Sequence, residues 1–141
     1  DFALFQFLGA VGKEFGLNQN SALTSEKILT VFRQLETSEG YSFWSKLKEV
    51  CQRCAQQQVN LYIDAEYSHL QSIVRTLTLA LMKIGPRGVN FVIYNTYQCY
   101  LKDCQNHLLE DLQIAKDLHF SNWGCKLVQS TLDIAANFPL K

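Results

Sequence analysis

Three side chains in this 141-residue sequence carry complementary chemistry: the acid Asp64, the amide Asn95 and the cation Lys126. A carboxylate accepts hydrogen bonds and holds cations, and an amide donates and accepts at once. An ammonium stabilises negative charge that develops in a reaction. Each falls at or near the end of a strand-like run. Leu61-Tyr-Ile leads into Asp64, and Phe91-Val-Ile-Tyr leads into Asn95-Thr-Tyr-Gln98. Cys125-Lys-Leu-Val128 contains Lys126 and runs into Gln129. In α/β barrels, residues at the C-terminal ends of parallel strands converge on the active site. Acid, amide and cation at three successive strand ends are therefore expected to share one cleft. Strands that simply run out into water also end in polar residues, so the pattern alone leaves that reading open.

Elements that could position these residues follow from periodicity. Gly9, Gly12 and Gly16 interrupt the apolar start, so residues 1–20 read as loop or weak helix. Thr24 or Ser25 is an N-cap candidate, and Ile28, Leu29, Phe32 and Leu35 follow at helical spacing. Phe43, Leu47, Val50, Cys51 and Cys54 mark one face of a second helix. Val59–Asp64 reads as a short strand, and Leu70, Ile73, Val74, Leu77, Leu81 and Ile84 form the stripe of a third helix. Gly85-Pro-Arg-Gly88 is a turn, Val89–Tyr94 a strand, and Leu101 to Ala115 a fourth helix. Cys125–Val128 is the last strand, and the tail to Lys141 shows no clear period. Helices and strands in alternation imply βα crossovers and a parallel sheet, an α/β fold. Coverage on both faces accounts for the continuous apolar run Phe91-Val-Ile-Tyr94.

Composition narrows the function classes. At 48% hydrophobic and 18% charged, the chain can bury a core and is not of disordered type. Thirteen basic and thirteen acidic residues cancel, and no long basic run occurs, which argues against nucleic-acid binding by bulk charge. Five cysteines, an odd number without a secreted framework, suggest a reducing compartment. The apolar start is too short for a membrane span, and the first residue, Asp1, hints at a processed or excised chain.

Other candidates read more plainly. Cys51 and Cys54 have C-x-x-C spacing, but on the apolar face of a helix they act as small hydrophobes rather than zinc ligands. His69, His107 and His119 are scattered and read as surface or helix-end residues. Phe43 and Trp44 are packing anchors, and Lys46, Lys48 and Arg53 a solvated face. Gly9-Ala-Val-Gly12 is too weak for a phosphate loop.

Three segments carry a resemblance. Leu61-Tyr-Ile-Asp-Ala-Glu66, Tyr94-Asn-Thr-Tyr-Gln-Cys-Tyr-Leu-Lys-Asp103 and Gly124-Cys-Lys-Leu-Val128 are similar, in order and spacing, to the proline dehydrogenase family. The eukaryotic mitochondrial members are nearest, the second segment is the most specific, and residues 40–130 carry the resemblance. It implies a (βα)8 TIM-like barrel, of which residues 1–141 form an incomplete part. It implies FAD as cofactor and oxidation of L-proline, or hydroxyproline, to the corresponding pyrroline carboxylate in proline catabolism. A quinone acceptor, a mitochondrial inner-membrane location on the matrix side, and no nucleic-acid partner go with it. By the same resemblance, Asp64 is a catalytic acid beside the substrate, and Asn95 meets the polar edge of the isoalloxazine. Lys126 lies near the flavin as a catalytic cation, and the backbone of Val128 contacts the cofactor.

The departures from the family pattern begin at residue 129. Gln129, Ser130, Thr131 and Leu132 stand where the family has a basic residue, glycine, alanine and tyrosine. Gln129 thus replaces a charge suited to the cofactor phosphates, and Leu132 an aromatic that packs on the substrate. The family's late arginine-rich helix has no counterpart, and a closed (βα)8 barrel needs at least about 200 residues. The chain is expected to be a fragment, a truncated isoform or a degenerate copy, inactive by itself. The alternatives are a non-catalytic homologue serving as an interaction module and an unrelated small α/β module.

Overall fold

From residue 42 to residue 128 the computed structural model alternates helix and strand as expected. It describes residues 2–18, 22–37, 42–64, 68–85 and 90–129. In chain order the elements are α1 (Phe2–Glu14), α2 (Ser25–Thr37), α3 (Ser42–Gln56), β1 (Leu61–Ile63), α4 (Gln71–Ile84), β2 (Ile93–Gln98), α5 (Cys104–Asp117) and β3 (Trp123–Val128). A short 3-10 turn, Ser68–Leu70, leads into α4. The strands form one parallel sheet in the order β1-β2-β3.

That order has a consequence for the faces. Each crossover steps to the next strand in the same direction, and such crossovers are right-handed almost without exception. Both connecting helices, α4 and α5, therefore cover the same face of the sheet. Contacts agree: Tyr97 of β2 bonds Asp111 of α5, which in turn bonds Arg75 of α4. The opposite face is bare of connecting helices among the described residues, although Thr96 and Gln98 on it are buried. There Tyr62 is exposed and stacks on Tyr94, with ring centroids 4.5 Å apart and planes at 8°.

The core sits between the covered face and the helices. α4 is the most enclosed element, with Ile73, Leu77, Leu79, Leu81 and Met82 all buried. It packs against β2 and against α1, α2 and α3. α2 presents Ile28, Val31 and Leu35 to the core, and Thr24 caps it by accepting the Lys27 backbone N–H at 3.2 Å. Trp44 is buried as a packing anchor, its indole N–H donating to Glu36 at 2.8 Å. Cys51 is buried and Cys54 packs against the core, as the hydrophobe reading requires. Val50, expected on the same face, is instead exposed.

Two expectations change. Residues 2–14 form a full helix where loop or weak helix was expected. Leu8 and Val11 are buried, and the missing side chain of Gly12 lets α1 approach α4: a Cβ there would lie 2.6 Å from Ile73 Cδ1. Packing outweighs the roughly 1 kcal/mol that a glycine costs in a helix. The middle strand also lies further along the chain, at Ile93–Gln98 instead of Val89–Tyr94. The polar residues Asn95 to Gln98 are inside the strand and not past its end. Residues 86–89, which hold most of the expected 85–88 turn and the expected strand start Val89, and residues 130–141, including Leu132, lie outside the described residues.

Candidate functional site

Register decides which side chains meet. Ile63 pairs with Asn95 and Asn95 with Cys125; Tyr62 pairs with Tyr94 and Tyr94 with Gly124. Side chains alternate along a strand, so Asn95 shares the covered face with Ile93 and Tyr97. Thr96 shares the bare face with Tyr94, and its register partner is Lys126. Asp64, one residue past Ile63, falls level with Thr96.

On the bare face these three groups make one cluster. Lys126 Nζ donates to Asp64 Oδ1 at 2.9 Å and Oδ2 at 3.1 Å. The Thr96 hydroxyl donates to Asp64 Oδ1 at 3.0 Å. Thr96 is buried, whereas the side chains of Asp64 and Lys126 are 69% and 38% exposed. The Lys126 and Thr96 hydrogen bonds hold the Asp64 carboxyl below its ordinary value, with little burial to oppose them. Beside the cluster lies an aromatic floor. A Cβ on Gly124 would come within 2.8 Å of the Tyr94 ring, so the absent side chain lets that ring lie flat across the sheet. An ionised acid, a partly exposed cation and a flat aromatic floor suit a small ligand that has both a charged and a hydrocarbon part.

The sequence-predicted trio is therefore divided. Asp64 and Lys126 meet, but Asn95 does not join them. Its amide is 2% exposed and donates to Asp111 Oδ2 at 3.5 Å, on the other side of the sheet. The expected shared cleft fails by one residue of strand parity, because the polar run lies within β2 and alternates between faces. Val128 ends β3, and its carbonyl accepts the Cys99 N–H at 2.8 Å. Gln129 follows it as an exposed residue, and Leu132 lies outside the described residues.

A second polar cluster, missed by the sequence reading, occupies the covered face. Asp111 is fully buried and accepts Arg75 Nε at 2.7 Å and the Tyr97 hydroxyl at 2.6 Å. Arg75 also donates to Glu110 at 2.7 Å and to the His107 carbonyl at 3.1 Å. Burial pushes the Asp111 carboxyl up; Arg75 and the Tyr97 hydroxyl push it back, and three donors on its two oxygens keep it an acceptor. Burial and the Asp111 charge push the Tyr97 hydroxyl up, so it remains a donor. Burial and the neighbouring guanidinium lower His107, which lines a small cavity of mixed character with Ser72, Leu101 and Lys102. The signal for this cluster was an arginine one position away from the apolar stripe of α4, which periodicity alone treats as solvated. An apolar cavity of about 190 Å³ lies between β1, α3 and α4, lined by Phe43, Leu47, Ile63, Val74 and Leu77 with Asp64 beside them. No set of three or more metal-ligating side chains and no helix long and apolar enough to cross a membrane occurs among the described residues.

Parallel strands wound in one direction, with an acid just past β1 and a cation in β3 meeting across the central strand, fit a ligand-site class of α/β protein. The match to known families makes this specific. The family model described as proline dehydrogenase matches residues 7–129, and the chain belongs to the proline dehydrogenase family. It is 29% identical over 117 residues to proline dehydrogenase 1, mitochondrial, of Dictyostelium discoideum, covering 82% of this chain and 20% of that one. Against the human protein of the same name it is 29% identical over 109 residues, covering 74% and 17%. Against hydroxyproline dehydrogenase of Xenopus laevis it is 33% identical over 84 residues, covering 60% and 18%. No solved structure matches significantly. The chain thus spans about one fifth of the length of the curated relatives it matches.

Proposed function

We propose that this chain is the segment of an FAD-dependent proline dehydrogenase that supplies the substrate-side acid and the flavin-side cation. One observation carries the reading: Asp64 and Lys126 come from strands 62 residues apart in sequence and meet at 2.9 Å on the bare face of the sheet. Family membership gives that pair its context, and the one-way winding supports a (βα)8 barrel of which this sheet is three strands.

The residues present fit FAD in part. Lys126 is exposed enough to reach a ligand and is held by a single carboxylate, so it is the residue that would hold the cofactor's ring. Asn95 does not fit such a role, because its amide is buried and spent on Asp111. Gln129 is neutral and would contribute no charge to phosphates. Bound FAD supplies a hydride acceptor for oxidation of L-proline to pyrroline-5-carboxylate. Asp64 would hold the cationic nitrogen of the substrate, and Lys126 would stabilise negative charge beside it. The floor of Tyr62 and Tyr94 would exclude water from below. A mitochondrial location belongs to the same reading, supported by relatives whose names include "mitochondrial"; a quinone acceptor at the inner membrane, facing the matrix, goes with it as part of the proposal. The likeness to hydroxyproline dehydrogenases of frog and rat favours a second reading, in which the substrate carries a ring hydroxyl. With one fifth of the length of its relatives, the segment alone is expected not to turn over substrate.

The test uses the full-length protein that contains the segment, purified with its flavin. Lys126→Met is expected to keep flavin content while lowering the rate of proline-dependent flavin bleaching by about a hundredfold or more. An unchanged rate rejects the assignment of Lys126. Comparing L-proline with hydroxyproline in the same assay decides between the two substrates.

A further inference from the structure

The Asp64 carboxylate is not held symmetrically. Oδ1 accepts both the Thr96 hydroxyl at 3.0 Å and Lys126 at 2.9 Å, while Oδ2 accepts, among the described residues, Lys126 alone, at 3.1 Å. A carboxylate oxygen offers about two acceptor directions. Oδ1 is therefore filled, and Oδ2 keeps one direction open. Thr96 is well placed to enforce this. It is 5% exposed, lies in the central strand, and has a β-branched side chain with few rotamers. Asp64, in contrast, sits just beyond the short strand β1, with most of its side chain in solvent. The buried hydroxyl is the fixed partner, and the exposed acid is the one being oriented.

We propose that Thr96 is a positioning residue: its hydroxyl fastens Oδ1 of Asp64 to the central strand, so that Oδ2 is the oxygen presented to the ligand's cationic nitrogen. The inference rests on the reading of Asp64 as the substrate-side acid. Lys126 cannot set the orientation, because it bonds both oxygens and its long chain follows either. Threonine donates to one oxygen only, from a fixed place, and so breaks the symmetry. An ionised carboxylate only accepts, so the hydroxyl proton points at Oδ1 and the hydroxyl lone pairs face away from it.

Two arms test this separately. In the chain itself, labelled at aspartate carboxyl carbons, the Asp64 signal is assigned by its loss in Asp64→Asn and followed during acid titration. Thr96→Val is expected to move its midpoint to higher pH, and Thr96→Ser to return it. A midpoint unchanged in Thr96→Val, or not restored by serine, overturns the proposal. Thr96→Ala takes the place of the valine variant, with the same expected shift, if the latter does not fold. In the full-length, flavin-loaded protein, Thr96→Val is expected to raise the KM for L-proline about threefold to tenfold, the worth of one hydrogen bond. Flavin content and kcat stay near wild type, and the acid limb of kcat/KM moves up in pH with the carboxyl midpoint. A moved midpoint with an unchanged KM overturns the substrate role of Asp64 and leaves the Thr96 contact standing.

Discussion

The two faces of the sheet carry the same chemistry in opposite settings. On the covered face a carboxylate, Asp111, is held by a cation, Arg75, and a hydroxyl, Tyr97. On the bare face a carboxylate, Asp64, is held by a cation, Lys126, and a hydroxyl, Thr96. Distances are alike in the two sets, from 2.6 to 3.0 Å. Exposure differs: Asp111 is 0% exposed, whereas the Asp64 side chain is 69% exposed. Water screens the outer set, so its bonds add little to stability and can be exchanged for a ligand. The inner set has no such exchange, and losing one member strands the others in low dielectric. Type of contact is the same on the two faces; access to solvent is what separates them.

The sharpest way to break this comparison is Asp111→Ala. It leaves the buried Tyr97 hydroxyl and Arg75 Nε without the Asp111 carboxylate, with Glu110 as the remaining acid on Arg75, and is expected to cost about 3 kcal/mol, read as a lower midpoint in urea unfolding. The matching change outside, Asp64→Ala, is expected to cost less than about 1 kcal/mol in the same assay. Equal costs would end the distinction between the faces. Gly124→Ala falls between them. Its Cβ would press on the Tyr94 ring and on Val92 Cγ1, 2.6 Å away, and about 1–3 kcal/mol is the usual cost of such overpacking. The near-ultraviolet signal of the stacked tyrosines should change with it. The smallest effects are in pH dependence. Asp64 has a lowered folded value, so its contribution is in place above the ordinary 3.8 and is lost as pH falls through the lower folded value. His107 is also lowered, so its contribution is in place above 6.5 and is lost as pH falls below that. Asp64→Asn should flatten only the first slope and His107→Gln only the second, in stability measured across pH.

Much of the architecture was legible because helical stripes are long and redundant. Four helices and three strands between residues 25 and 128 follow from them, and the sequence motifs led to the family that the comparisons bear out. Strand limits were less legible. Phe91 and Val92 look like strand yet precede it, and the true strand contains Asn95 to Gln98. Parity depends on register with neighbouring strands, which no local pattern reports, so Asn95 was assigned to the face that Thr96 occupies. Arg75 was hidden for a related reason. A charged residue beside an apolar stripe looks solvated until a second helix brings it an acid, and Asp111 lies 36 residues away. The early glycines misled because their role is close approach between helices, which exists only in the assembled core.

The outer margins of the sheet have one more implication. β1 and β3 each pair on one side only among the described residues, so each presents a row of peptide groups still seeking partners. Such margins are sticky toward any extended peptide. Produced on its own, the segment would behave as a colloid with two adhesive rims, its solubility limited by concentration rather than by folding. Charge placed along β3, at the exposed Leu127 for example, would act on that rim from the face where its register partner Tyr97 lies.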